Sequence, residues 1–284
     1  MAPGRTLCYN SRPMRGLWNG EATVLGQVRY APNCWKITLE VPARDPIDAG
    51  QFCHILTDEA LDPLLRRPFS YWDAAAAPGG GTRVDLLYTV VGRGTELLSR
   101  RRPGDRVGYL GPLGIGLTPA SSGTCVFVAG GVGIVPFYLF SRRLAEGGHP
   151  PRRILLFGGR TRDMLYGIDD FPPLGVETHA ATEDGSYGLR GRVTDLLEAW
   201  LPKLDRNGLR IYTCGPERMM DAVVRIARRE GLPCEVSMEK RMGCALGACG
   251  ACVTRVVSED GEGWRYSRIC IEGPTYDAAR LVLE

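Results

Sequence analysis

The sequence predicts a mixed β and α/β fold in three units: an antiparallel β-barrel, a doubly wound parallel sheet, and a small C-terminal module organised by cysteines. Three observations carry this. Short alternating runs separated by Gly- and Pro-rich turns fill residues 20–117, the pattern of a small antiparallel barrel. Apolar strands then alternate with amphipathic helices over 118–230, which implies a parallel sheet wound on both faces. In 231–284, Cys244, Cys249 and Cys252 stand in a C-x4-C-x2-C spacing, with Cys270 further on.

Residues 1–19 are polar and carry Arg5, Arg12 and Arg15 with Pro3 and Pro13 and no periodicity. They read as a loosely docked extension. Barrel strands are expected at 22–30, 35–41, 51–56, 83–91 and 106–110. Two pieces between them have chemical character. The first is Arg66-Arg67-Pro68-Phe69-Ser70-Tyr71. The second is Val91-Gly92-Arg93-Gly94-Thr95, followed by helix-forming Glu96-Leu97-Leu98-Ser99. Glycines before a helix let the backbone approach an anion, and the helix start offers free N–H groups. A Gly-x-Gly turn is more often only a turn. Arg67 offers a planar cationic fork for a pyrophosphate; the plainer alternative is a surface arginine beside a proline.

From Thr124 the period changes. A strand is expected at 125–129, then the loop Gly130-Gly131-Val132-Gly133, then a helix from Pro136 to about Glu146, stopped by Gly147-Gly148. Further strands are expected at 153–157, 176–180 and 209–213, and helices at 193–200 and 217–230. Ligands of such sheets sit at the carboxyl ends of the strands. Gly131 and Gly133 lie at one such end, and Cys214-Gly215-Pro216 at another. The glycine loop lacks the G-x-G-x-x-G dinucleotide fingerprint, yet its place between strand and helix suits a pyrophosphate. A last strand at 234–238 leads into the cysteines.

The cysteine spacing is that of a plant-type [2Fe–2S] cluster. Gly243, Gly247 and Gly250, with Ala245, Ala248 and Ala251, keep side chains out of a loop that must wrap an inorganic core. A hairpin, 253–257 and 264–269 around Ser258-Glu-Asp-Gly-Glu-Gly263, returns Cys270 beside Cys252. Zinc is the main competitor, although structural zinc usually shows two paired cysteine clips. Four buried, unligated thiols are the bland alternative. Lys240, Arg241 and Arg268 flank the cysteines, to offset cluster charge, to meet a partner, or simply as solvated surface.

Composition excludes several classes. A formal net charge of +3 is too small to argue for nucleic acid. No apolar run reaches the length of a membrane span, and no secretory signal opens the chain, so the cytoplasm is expected. Ten cysteines in 284 residues do not suit a small disulfide scaffold. His54, His149 and His179 stand apart, so no acid–base set for substrate chemistry is evident and no catalytic residue is assigned.

The order Arg-Pro-Phe-Ser, Gly-Arg-Gly-Thr, Gly-Gly-Val-Gly-Ile-Val-Pro, Cys-Gly-Pro-Glu and the four-cysteine module resembles the ferredoxin–NADP reductase superfamily. Within it, the module and its Cys270-Ile-Glu-Gly273-Pro274 ending resemble the electron-transfer subunits of type B dihydroorotate dehydrogenases. The resemblance spans residues 20–284. It implies that Arg67, Pro68, Phe69 and Ser70 hold FAD, with Ser70 near the reactive flavin nitrogen. Leu87, Tyr88 and Thr89 would line the flavin, and Gly94 and Thr95 would meet its pyrophosphate. Gly131 and Gly133 would approach NAD, with Cys214, Gly215 and Pro216 by the nicotinamide. Cys244, Cys249, Cys252 and Cys270 would bind the [2Fe–2S] cluster. Phe69 stands where this family more often carries an aliphatic residue. The implied partner is an FMN-containing dihydroorotate dehydrogenase catalytic subunit, in a heterotetramer that makes orotate for pyrimidine biosynthesis. Related diaphorase-type subunits of an NADH-dependent ferredoxin:NADP+ oxidoreductase, a hydrogenase or a sulfur reductase share the architecture. A flavin-free zinc-binding module is the alternative from another class.

Overall fold

The computed structural model describes residues 17–42, 46–58, 62–146 and 150–283. The expected N-terminal extension (apart from residues 17–19) and the helix stop at Gly147-Gly148 lie outside the described residues.

The first sheet contains β1 (Trp18–Ala31), β2 (Cys34–Val41), β3 (Phe52–Leu56), β4 (Arg67–Ser70), β5 (Asp73–Ala76), β6 (Thr82–Thr89) and, after helix α1 (Arg93–Ser99), β7 (Arg106–Leu113). Its order is β4-β3-β7-β1-β2-β6-β5. The two edge strands, β4 and β5, are neighbours in sequence. Between them the Tyr71 amide donates to Gln51 O on the β3 side (3.5 Å), and the Trp72 amide to Asp85 O on β6 (2.8 Å). One stretch of chain therefore ties both edges together and curls the sheet into a half-barrel, leaving little edge exposed. Alternation does the rest: Ile37, Leu39 and Val41 of β2 face inward and are buried, as a period of two requires. Inside, the Tyr71 and Tyr109 hydroxyls bond to each other, which satisfies polar groups that would otherwise be stranded. A Cβ at Gly111 would meet both hydroxyls, at 2.7 and 2.9 Å, so the barrel needs glycine there.

The second sheet is β8 (Thr124–Gly130), β9 (Arg152–Gly159), β10 (Glu177–Thr182), β11 (Leu189–Arg190), β12 (Leu209–Cys214), β13 (Cys234–Ser237) and β16 (Thr275–Asp277), in the order β11-β10-β9-β8-β12-β13-β16. All pairings are parallel except β13 with β16. Central β8 is buried at every position, as expected of a strand covered on both faces. Helices α2 (Val135–Ala145), α3 (Val193–Trp200) and α4 (Glu217–Arg229) cover it. Helix α4 turns Met220, Val223, Val224 and Ala227 inward, and Gly231 follows it at φ +64°, the left-handed state that closes helices. The chain runs outward from β8 to β11, then crosses back to β12 beside β8. This reversal is a topological switch point.

The sequence places 234–238 in the C-terminal module. In the structure β13 pairs with β12 from Ile211↔Cys234 to Cys214↔Ser237, so it completes the parallel sheet. Thr275–Asp277, after Gly273-Pro274, is a strand antiparallel to β13. The cysteines thus lie in an excursion between two adjacent strands of one sheet. It contains the hairpin β14 (Val253–Val257) and β15 (Trp264–Arg268) and the one-turn helix α5 (Ile269–Glu272). The excursion is pinned to the barrel: Ile115 N donates to Gly273 O (2.6 Å), and the Thr275 hydroxyl lies 2.9 Å from the Ile115 and Gly116 carbonyls. Barrel and parallel sheet meet through Trp72 stacked on Tyr138 (4.5 Å) and Arg142 paired with Asp73 (2.7 Å).

His54 on β3 is fully buried and neither ring nitrogen has a partner. Burial, with Arg66 nearby, pushes its pKa from 6.5 down to about 4. The unfolded chain therefore binds the proton first, and stability falls as pH drops from 6.5 toward 4. Replacing His54 with Leu should flatten that part of the profile in urea denaturation. A variant whose midpoint falls with acid as steeply as the parent's would contradict this account.

Candidate functional site

The cysteine loop is shaped for sulfur. Ala245 (φ +59°), Gly247 (φ +77°) and Gly250 (φ +64°) take left-handed backbone states, which turn successive amides inward. The amides of Leu246 and Cys249 both lie 3.4 Å from Cys244 Sγ. Burial raises the Cys244 thiol, but these N–H groups, with the Cys249 thiol and the Ala248 N–H, outweigh it and bring it to about 7. That favours the thiolate, the form that binds metal. Ile269 N donates to Cys252 O (2.9 Å), and the hairpin register Val253↔Arg268 returns Cys270 to Cys252 as expected. The Cys270 thiol, facing Cys252, is pushed up to about 12, mainly by burial. Cys244 and Cys249 lie toward solvent, and Cys252 and Cys270 are buried. Among the described residues no three His, Cys, Asp or Glu side chains gather as a single-ion site.

At the barrel mouth, Arg67 packs over Gly94, where a Cβ would overlap its guanidinium. The two motifs of the sequence therefore meet. Arg67 also donates to the Leu65 carbonyl, and Arg93 pairs with Asp62 (2.7 Å). The Thr95 hydroxyl is engaged locally: it accepts from Val91 N (3.0 Å) and Gly92 N (3.2 Å) and donates to Gly92 O (2.9 Å). It holds the glycine loop in shape. Phe69 meets Tyr88 edge-on at 5.5 Å. Tyr88 and Leu87 are buried in the barrel core, and the Tyr88 hydroxyl donates to Gln27 (2.7 Å). Pro68, Ser70 and Thr89 stand half-buried.

At the switch point the loop after β8 and the loop after β12 touch backbone to backbone. A Cβ on Gly133 would overlap the Cys214 carbonyl, and one on Gly215 would lie 3.0 Å from both Gly130 N and O. Gly133 and Gly215 are thus needed for this approach of two loops. Gly131 (φ +56°) has open space around it and faces no such constraint. Pro216 precedes the first turn of α4. The Cys214 thiol is pushed up to about 12 by burial and by the nearby Glu239 carboxylate, against a hydrogen bond with Ser237.

Glu239 is a site residue the sequence reading missed. It stands just past β13, and burial raises its pKa. The available signal was a carboxylate placed directly between a strand and the cysteine loop. Lys240 pairs with Glu217 (2.5 Å).

A curled antiparallel barrel beside a parallel sheet, with both switch-point loops at the junction, defines a ferredoxin-reductase-like flavoprotein fold. The family described as the iron-sulfur cluster binding domain of dihydroorotate dehydrogenase B matches residues 239–282, and an oxidoreductase NAD-binding domain matches 127–225. The electron transfer subunit of dihydroorotate dehydrogenase B (NAD(+)) from Geobacillus thermodenitrificans is 37% identical over 92% of this chain and 97% of its own. That from Bacillus mycoides is 36% identical over the same shares. A solved structure of an NADH-dependent reduced ferredoxin–NADP oxidoreductase is similar at TM-score 0.78 and 27% identity, over 92% of this chain and 90% of that one. The ferredoxin NADP+ reductase of Neisseria gonorrhoeae shares the fold at TM-score 0.62 and 18% identity, over 75% of this chain and 92% of its own. The chain belongs to the family of dihydroorotate dehydrogenase B electron transfer subunits.

Gly133→Ala should force the two loops apart. Overpacking of this kind costs about 1–3 kcal/mol, readable as a lower urea midpoint together with weaker NADH binding. An unchanged midpoint would show that the loops have slack.

Proposed function

We propose that this chain carries electrons between NAD and an FMN-containing catalytic subunit that oxidises dihydroorotate to orotate, using FAD and a [2Fe–2S] cluster. The observation that carries it is convergence. The two switch-point loops and the start of the cysteine excursion leave neighbouring strands β8, β12 and β13 at the same sheet edge. The barrel abuts that edge through the Ile115–Gly273 contact. Membership in the family supplies the substrate and the partner.

Each group fits residues on hand. The C-x4-C-x2-C spacing and the inward loop amides suit two irons better than one tetrahedral ion; Cys244 and Cys249 would hold one iron, and Cys252 and Cys270 the other. Arg67 over the Gly94 cradle would take the FAD pyrophosphate, with Thr95 shaping that loop. Phe69 and Ser70 would face the flavin at the barrel mouth, flanked by Pro68 and Thr89, with Leu87 and Tyr88 backing them from the core. Gly131 would admit the NAD pyrophosphate, while Gly133, Gly215 and Pro216 fix the loops around it. Cys214 and Glu239 would border the nicotinamide, with the Cys214 thiol kept neutral. When bound, FAD supplies the exchange between two-electron hydride chemistry and one-electron transfer. In domain terms, 20–117 would bind FAD, 118 to the end of β13 NAD, and the excursion up to β16 the cluster. Among the described residues no helix is long and apolar enough to cross a membrane; a cytoplasmic setting accords with the proposed work.

Co-purification with a candidate FMN-containing dihydroorotate dehydrogenase tests the whole proposal. Dihydroorotate should then reduce NAD+ anaerobically only when both proteins are present. A flavin- and cluster-bearing chain that gives neither complex nor NADH would move the function to another electron partner. Cys249→Ser should remove the iron–sulfur absorption while FAD stays bound; persistence of the cluster spectrum would refute that ligand. Arg67→Ala should raise the FAD dissociation constant by about tenfold or more, given the usual worth of a charge-assisted bond, and an unchanged constant would remove Arg67 from the phosphate site.

A further inference from the structure

Arg268 ends β15, two residues before Cys270, and its side chain is 25% exposed. Its Nη1 donates to the Gly247 carbonyl at 3.1 Å. Its Nε donates to Glu272 Oε1 at 3.3 Å, and its own backbone amide donates to the same oxygen at 3.0 Å. Glu272 Oε2 accepts from Arg265 Nη1 at 2.8 Å. A lone surface ion pair would be of little consequence. What Arg268 grips is more specific.

The Gly247 carbonyl belongs to the peptide whose other end is the Ala248 N–H, between the Leu246 and Cys249 amides that both lie 3.4 Å from Cys244 Sγ. In a planar trans peptide the C=O and N–H point in opposite directions. A cationic donor on the oxygen fixes the orientation of the N–H on the far side and polarises that peptide, within the loop that carries the sulfur ligands. Gly247 sits at φ +77°, and a Cβ there would meet Ile271 Cδ1 at 2.5 Å, so this turn of the loop takes glycine.

We propose that Arg268 is a positioning residue for the cluster, raising its reduction potential through the Gly247–Ala248 peptide, and that Glu272 offsets this charge while holding Arg268 in place. Hydrogen bonds to sulfur and nearby charge are the two levers by which a protein sets such potentials. Positive charge favours the more negative, reduced cluster; negative charge disfavours it. The inference rests on the cluster assigned above.

The test is an anaerobic redox titration of the holoprotein, followed by electron paramagnetic resonance, for the parent, Arg268→Gln and Glu272→Gln. A parent without an iron–sulfur spectrum would overturn the cluster assignment itself, and this is visible before any variant is made. With the cluster present, Arg268→Gln should shift the one-electron equilibrium toward the oxidised form by at least tenfold, about 59 mV. Glu272→Gln should shift it the other way. A latch that only held the loop together would hasten cluster loss in both variants and leave the potential of the assembled cluster unmoved, which would overturn the proposal. Should Arg268→Gln fail to assemble the cluster, Glu272→Gln decides: a raised potential supports the proposal, and an unchanged or lowered one refutes it.

Discussion

Sulfur ligands cannot converge unless the backbone around them is cleared of side chains and turned so that its N–H groups face inward. Most of the C-terminal excursion follows from that requirement. The left-handed states at Ala245, Gly247 and Gly250 supply the inward amides. The hairpin exists to bring Cys270 back to Cys252, and the strand after it restores the chain to the sheet it left. A module of this size has little core of its own, so bound metal would add folding energy. Its protein anchors are Met242, Ala245, Val256 and Ile269, all buried, within the same apolar cluster as β13 and α4.

The second constraint is the close approach of two loops at the switch point. Because β8 and β12 are adjacent and parallel, their carboxyl ends deliver Gly130–Gly133 and Cys214–Pro216 to one place. Because β13 is next in line, Glu239 and the cysteine loop begin beside them. On the proposed assignment, a two-electron site and a one-electron site would share an edge of one sheet, with the barrel mouth alongside. The family's electron-transfer role thus has a physical basis in strand order.

Much of this was legible from residues alone. The 193–200 helix, the hairpin and the alternation of strands with helices follow local periodicity and turn chemistry, and the structure has them where expected. The misplaced elements are those decided by distant pairing. A four-residue strand such as Cys234–Ser237 reads alike in a sheet or a small module; only its ladder with β12 settles it. Strand β4 hides because Pro68 lacks an N–H, which an edge strand tolerates. At the site, cysteine spacing was explicit, whereas glycine was ambiguous. Gly133 and Gly215 suggested approach to a nucleotide, and what they permit directly is contact between loops. Glu239 left little trace in the sequence, and Arg268 showed only as a cation beside the cysteines, since the atom it grips, the Gly247 carbonyl, is distant in sequence.

The central claim is that one chain joins NADH to an iron–sulfur cluster through a flavin. An anaerobic titration of the isolated holoprotein with NADH, followed by absorbance and electron paramagnetic resonance, tests it most directly. The account predicts that the flavin bands bleach and that a reduced [2Fe–2S] signal grows in the same protein without any partner. A cluster that NADH leaves oxidised, while dithionite reduces it, would contradict the account.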